Sequence, residues 1–544
     1  MGPPNLGRAH TQSMGETAVR TLRATSLIVA LAVGSLGIAS PAAALDATWQ
    51  DPPLDLSTSE VDVWGSSATM VAGPAGSLMS MWIETGPSES QLRATLWSDG
   101  AWSTDAPAFV SAPSYSIDDL QVVSRGDGSF IALWVETFED LDYQATMTVM
   151  SSVFDEGSWS LPNALMIGEV DDEVSDLHLA AAPDGSVIAA WDNEGIIEAA
   201  ALGATGTGAV QILGEGNDPE VAASPTNVLA VTWRADVSTY VSVPAAVTVV
   251  GSTWSPTVYL SDADSFAPEL GASPTGFVTM WMEGNDRLPW ASTFTGTSWS
   301  APVAMLDDNQ IGGGVTAPGL VVATPGVTAV TWSDGEFSNA IIWLRTFNGT
   351  AWSAPVELLD ATQVGLEHEV VGSPDGTFTV VWRRNGGGPL MARTFTATTL
   401  GEPFELSAAE NSPSNPRLEA ASNGYVVATW QQGGSVVARM FDGESWGESL
   451  VDFGSDSTPE VASTTDNVFF VAWEWYSDDR GLIRTSWLDT PDTVAEPGGS
   501  GGEELAATGP APFAGIGAVG AALALLMGAV LLAAPRRRTA SSTR

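Results

Sequence analysis

Carboxylates at a recurring position are the first residues in this sequence that could do chemistry. Glu84, Glu136, Glu283 and Asp334 each stand two residues past a Trp that closes an apolar run, and Asn193 and Gln432 hold the matching place in two further copies. Carboxylate oxygens, supplemented by carbonyls, suit a hard divalent cation such as Ca²⁺. Equivalent positions in copies arranged about an axis fall at similar radius. These four residues are therefore expected on one face, where they bind a cation weakly or meet a ligand. The competing expectation is a set of solvated strand ends, because no Asp-x-Asp-x-Asp-Gly loop accompanies them.

Other chemistry is bounded by composition. The chain has 544 residues and no Cys, which excludes disulfides, thiolate metal sites and a Cys nucleophile. Its three His, at 10, 178 and 368, are too scattered to suggest a zinc site. Without any Lys the chain cannot carry a phosphate loop of the Gly-Lys-Ser/Thr type. The formal net charge of -46 makes nucleic acid a poor partner. Arg383, Arg384, Arg393 and Arg417 cluster in the sequence, either as a basic pocket or as counter-charges to nearby acids.

The elements that must position these residues are read from the Trp. A Trp ends an apolar run at 82, 134, 191, 233, 281, 332, 382, 430 and 473, with spacings of 42 to 57 residues. Turn residues precede several of the runs, as in Pro183-Asp184-Gly185, Pro374-Asp375-Gly376 and Asn423-Gly424. A short apolar strand stands before each turn, and another follows the Trp strand. A second Trp then opens a fourth strand, at 102, 159, 254, 299, 352 and 446. Four short strands in about 48 residues is the pattern of a β-propeller blade. The expected fold is all-β: a closed β-propeller of about nine four-stranded repeats (range 7–9) over residues 45–490. The third and seventh copies, which lack the fourth-strand Trp, are the weakest. The ninth copy stops at its third strand, while Thr48 to Leu56 matches the fourth-strand pattern, so the two ends are expected to pair and close the ring. The Trp are expected to be core, wedged between radially packed sheets.

The two ends read as addresses. Residues 1–44 have the form of a signal peptide, with Arg20 and Arg23, an apolar stretch from Ser26 to Ala39, and small residues before a cut after Ala44. Met14 would give that signal a more ordinary length than Met1. Residues 491–504 are an acidic Pro/Gly linker. Leu505-Ala506-Ala507-Thr508-Gly509, an apolar run over 511–534 long enough for one transmembrane helix, and Arg536-Arg537-Arg538 then follow in order. This triplet resembles the sorting signal of sortase-anchored cell-wall proteins of high-GC Gram-positive bacteria, with Ala506 where the commoner motif has Pro. The resemblance implies cleavage between Thr508 and Gly509 and transfer to a peptidoglycan precursor, so sortase is an implied partner. An extracellular, wall- or membrane-anchored location follows from the same resemblance.

The ectodomain is expected to be a binding or adhesion module for an unknown extracellular glycan or protein, with no resident cofactor beyond weak Ca²⁺. The alternatives are a glycan-cleaving propeller enzyme or a structural envelope component. Sialidases are propeller enzymes, but their Ser-x-Asp-x-Gly-x-Thr-Trp box is missing from this sequence. A raised-pKa carboxyl paired with an ionised one in a central pocket would favour the enzyme.

Overall fold

In the computed structural model the described residues are 49–491, except for short internal stretches of which 307–314 is the longest. The signal segment, nearly all of the linker, the sorting motif and the apolar run 511–534 lie outside them. Among the described residues the structure is all-β and β-propeller-like, built of small antiparallel sheets, and no helix is long and apolar enough to cross a membrane.

Nine repeats are present, each centred on one of the nine Trp. Repeat 5 shows the pattern plainly: Ser265–Ser273, Gly276–Glu283, Leu288–Phe294 and Val303–Ala304 pair in that order. Repeats 6, 7 and 8 have the same four-stranded order. The seventh repeat, expected to be weak, has four strands of its own. Leu400 takes the fourth-strand Trp slot of repeat 7, bridging Phe395 as Trp299 bridges Phe294. Repeat 3 has no fourth strand of its own; the single strand Val210–Ala223 serves as its last and as the first of repeat 4.

The local sequence explains these elements. The turn Asp or Asn caps its own hairpin. Asp184 accepts from the Ser186 amide at 3.0 Å and Asp375 from the Thr377 amide at 2.8 Å. Gly185 and Gly376 follow at φ 82° and 89°, a left-handed conformation that other residues rarely adopt. The second strand of each repeat is covered on both faces by neighbouring sheets, so it reads as a continuous apolar run rather than an alternating one. Leu78–Thr85 is buried at seven of eight positions. All nine repeat Trp are among the largest fully buried side chains. They pack into clusters that draw on two repeats: Trp281, for example, sits with Ala246 and Leu260 of repeat 4.

The first strands of successive repeats lie against one another, and that of repeat 9 (Glu460–Ser463) lies against that of repeat 1 (Trp64–Ala72). Gly271 shows how close the approach is, since a Cβ there would come within 2.5 Å of Val321. Several contacts join the ends of the described chain. Leu54–Asp55 pairs antiparallel with Arg480–Asp489, Leu54 facing Thr485. The Gln50 amide donates to the Trp487 carbonyl at 2.8 Å. The Gly76 amide donates to Thr465 Oγ1 at 2.8 Å.

Candidate functional site

The inner strands carry the titratable cluster. In repeats 1–8 the first strand is interrupted by a β-bulge before its last four or five residues. A bulge kinks the strand and re-aims the side chain that follows it. Asp119, Asp176, Asp218 and Asn415 sit in four of these bulges at φ 50–53°, a left-handed region that Asp and Asn tolerate better than other side chains. Just past the bulge, opposite the residue preceding the repeat Trp, come His178, Glu220, Glu269, Glu369 and Arg417. Glu460 holds the same register in repeat 9. All six are partly exposed, and burial raises the pKa of the four Glu among them.

Two arcs of this inner surface differ in their electrostatics. On repeats 3–5, burial pushes the Glu220 carboxyl up, which His178 opposes and Asp218 and Asp176 reinforce. Burial pushes Glu269 well above the usual carboxylate range, and the charges of Glu220 and Asp218 push it further. On repeats 7–9 a cation stands among the acids: Arg417 Nη1 lies 3.1 Å from Glu369 Oε1. Burial outweighs that pairing and pushes Glu369 up to about 7. Glu460 is likewise raised by burial, against Arg417. Glu419, two residues past Arg417, accepts from the Ser463 hydroxyl at 2.8 Å and its amide at 3.1 Å, and burial pushes it to about 7. Carboxyls so poised can donate and accept hydrogen bonds at neutral pH, which suits hydroxyl groups, or bind a cation in the ionised form.

The sequence-predicted face is placed differently. Glu84, Glu136 and Glu283 turn back to their own Trp and accept its indole N–H, at 3.3, 2.8 and 2.9 Å from Trp82, Trp134 and Trp281. Residues i and i+2 of a strand share a face, so the Glu reaches the ring it follows. Gln432 accepts from Trp430 at 2.8 Å in the same way, and in repeat 3 Glu198 on the adjacent strand accepts from Trp191 at 2.9 Å. Asp334, one methylene shorter, is buried, and the Trp332 indole nitrogen finds no hydrogen-bond partner. Glu84 also pairs with Arg93 at 2.7 Å. Glu84, Glu136 and Glu283 are thus indole acceptors in separate repeats, and among the described residues no group of three His, Asp or Glu is placed to hold a metal ion.

A measurable consequence attaches to Glu136, which is 2% exposed and whose carboxyl burial pushes up. Glu136→Leu is expected to lower stability by about 1–3 kcal/mol, because the Trp134 indole loses its acceptor. Glu136→Gln, which keeps an acceptor and removes the buried charge, should hold or raise the melting temperature. Calorimetry at pH 7.5 showing the reverse order would overturn the assignment.

His368 is not a ligand position. It lies between repeats 6 and 7, with Nε2 3.1 Å from Thr331 Oγ1 and Nδ1 3.4 Å from Ser333 Oγ, and burial lowers its pKa to about 4. Two of the clustered Arg are engaged separately, Arg417 with Glu369 and Arg393 with backbone carbonyls. Arg393 fastens two repeats, donating to the carbonyls of Gly401 and, in repeat 6, Leu358. Arg345 and Arg439 do the same one repeat before and after. Gly443-Glu444-Ser445-Trp446-Gly447 matches the Gly-x-Ser-x-Gly string of serine hydrolases. It forms a turn in which Asp442 accepts from the amides of Glu444 and Ser445, not a strand-to-helix elbow.

No protein-family model and no curated protein matches the chain. Solved structures give distant likenesses. A eukaryotic initiation factor is 11% identical, covering 72% of this chain and 88% of its own, with a TM-score of 0.44. The polysaccharide lyase Uly1 is 9% identical, covering 62% and 93%, with a TM-score of 0.34. The subtype N10 neuraminidase-like protein of the isolate A/little yellow-shouldered bat/Guatemala is 11% identical, covering 51% and 95%, with a TM-score of 0.32. Likeness this remote says nothing about what the chain acts on, and the propeller-like description rests on the repeats themselves.

Proposed function

We propose that the chain is an exported surface protein whose nine repeats close into one propeller and whose lumen binds a hydroxyl-rich or cationic ligand. Closure is supported by the pairing of Leu54–Asp55 with Arg480–Asp489 and by the contact between the first strands of repeats 1 and 9. The observation that carries the binding reading is the set of deep, raised-pKa carboxyls on the inner strands, Glu220 and Glu269 above all. Nothing in packing requires two like-charged carboxyls there, and each ionised pair lowers stability. A ligand that accepts and donates hydrogen bonds, or carries positive charge, gives them a use.

The test applies the whole chain, in detergent, to an array of glycans and envelope polymers, beside a Glu220→Gln/Glu269→Gln double variant. The reading expects retention of at least one hydroxyl- or amine-bearing polymer, weakened about tenfold in the double variant. No retention, or equal retention by both proteins, refutes it. A glycan-cleaving enzyme is the second reading, favoured by the same neighbouring pair with elevated pKa values. Release of new reducing ends by the parent, and not by the double variant, would place it first.

The location is proposed on the resemblance of residues 505–544 to a sorting signal. Sortase would join Thr508 to a peptidoglycan precursor, leaving the propeller at the wall. Thr508→Ala is expected to move the protein from the wall fraction to the membrane fraction; an unchanged wall fraction refutes the anchoring.

A further inference from the structure

Repeats 2 and 3 differ from the others at their outer edge. In repeats 5–8 the fourth strand has two residues, as in Val303–Ala304 and Val356–Glu357. In repeat 2 it runs over Asn163–Val170, and in repeat 3 it is the opening part of Val210–Ala223. These two outer strands share one core: Leu165 and Met166 of the first and Val210 of the second pack against the same cluster around Val153 and Trp191. The turn of repeat 3 also docks on repeat 2, where Ser151 donates to the Gly206 carbonyl at 2.8 Å.

With those residues turned inward, others are turned out. Leu161, Ile167 and Ile212 are 87%, 68% and 72% exposed. A single exposed apolar side chain is ordinary, but several on adjoining strands of one sector mark an interaction surface. The same sector has an extreme charge. Between Arg125 and Arg234 there is no Arg or Lys, while nineteen residues are Asp or Glu. Glu156, Glu173, Glu194 and Glu215 are among those exposed.

We propose that the outer strands of repeats 2 and 3 dock an extended segment of a partner protein that alternates basic and apolar residues. Charge complementarity selects this occupant, since these apolar side chains stand in a stretch of exposed acids whose flanking base, Arg125, is buried and donates to the Ala204 carbonyl. A second copy of this chain would bring the same acidic edge and be repelled. Recognition runs through side chains rather than strand addition, because bulges at Ala164/Met166 and Ile167/Val170 break the ladder. The surface is independent of the lumen.

The test measures fluorescence anisotropy of labelled decapeptides added to the full chain in detergent. One peptide alternates lysine and valine, a second is all lysine, and a third alternates glutamate and valine. The alternating basic peptide should bind, weaken with added salt, and lose about tenfold in affinity to an Ile167→Ser/Ile212→Ser variant of unchanged charge. A Val356→Ser/Phe404→Ser control in repeats 6 and 7 should bind as the parent does. Several outcomes overturn the proposal: no binding, equal binding of polylysine, an Ile167/Ile212 variant that binds like the parent, or an equal loss in the control.

Discussion

Trp281→Ala is expected to cost about 3–5 kcal/mol of stability, the range for removing a fully buried aromatic ring. The ring is 0% exposed and wedges Ala246 and Leu260 of one repeat against Trp290 and Trp299 of the next. Two losses combine. A cavity opens between the sheets of repeats 4 and 5, and Glu283 loses the indole donor held at 2.9 Å. Trp281→Phe, which keeps most of the volume and removes only the donor, should cost less than half as much. Equivalent substitutions at Trp134 or Trp430 should cost the same within about 1 kcal/mol, because each occupies the corresponding place with an acceptor. Denaturant melts giving a loss under about 1 kcal/mol for Trp281→Ala would refute the wedge role.

Acid should stabilise this protein between pH 8 and pH 5. Glu369 and Glu419 are raised from 4.5 to about 7. A carboxyl with a raised folded-state pKa favours the folded state fully below its unfolded value, and that contribution is lost as pH climbs through the folded value. The window is therefore about pH 4.5 to 7, worth at most about 3 kcal/mol for each group. Glu136, Glu220, Glu269 and Glu460 shift the same way. His368 opposes them: its pKa falls from 6.5 to about 4, so its contribution is lost as pH drops through that interval. One imidazole does not outweigh six carboxyls, so the melting temperature at pH 5 should exceed that at pH 8 by on the order of 5 °C at one scan rate. Glu419→Gln, whose amide oxygen can still accept from Ser463, should flatten the profile by raising the pH 8 value. A melting temperature that rises from pH 5 to pH 8 would falsify this account.

The repeats were legible because one residue type marks one mechanical job. A large ring is needed once per pair of packed sheets, so the nine Trp count the repeats directly, and the Asp-Gly turns place the hairpins. The length of Val210–Ala223 was not legible, because nothing in the sequence between Leu202 and Leu229 signals that two repeats share a strand. The indole-acceptor role of Glu84, Glu136 and Glu283 was not read from their charge, although Gln432 at the matching position held the clue. Glu and Gln share the capacity to accept a hydrogen bond, not the capacity to hold Ca²⁺. The inner carboxyls also left a trace: Pro219-Glu220, Pro268-Glu269 and Pro459-Glu460 recur at the same point, with Pro416-Arg417 among them. Pro marks the bulge, where no ladder donor is needed, and the next residue faces inward. Their raised pKa values were beyond reach, because these depend on how closely separate repeats approach.

The strand shared by repeats 3 and 4 bears on how the molecule can be taken apart. Between repeats 4 and 5 the chain passes through residues 260–264, which belong to neither sheet. From Val210 to Ala223 the backbone is paired first with Ile196–Leu202 and then with Leu229–Ser238, so there is no joint to cut. Repeats 3 and 4 can be released only as a couple, and a gene truncated between them would leave two ragged halves instead of two intact units.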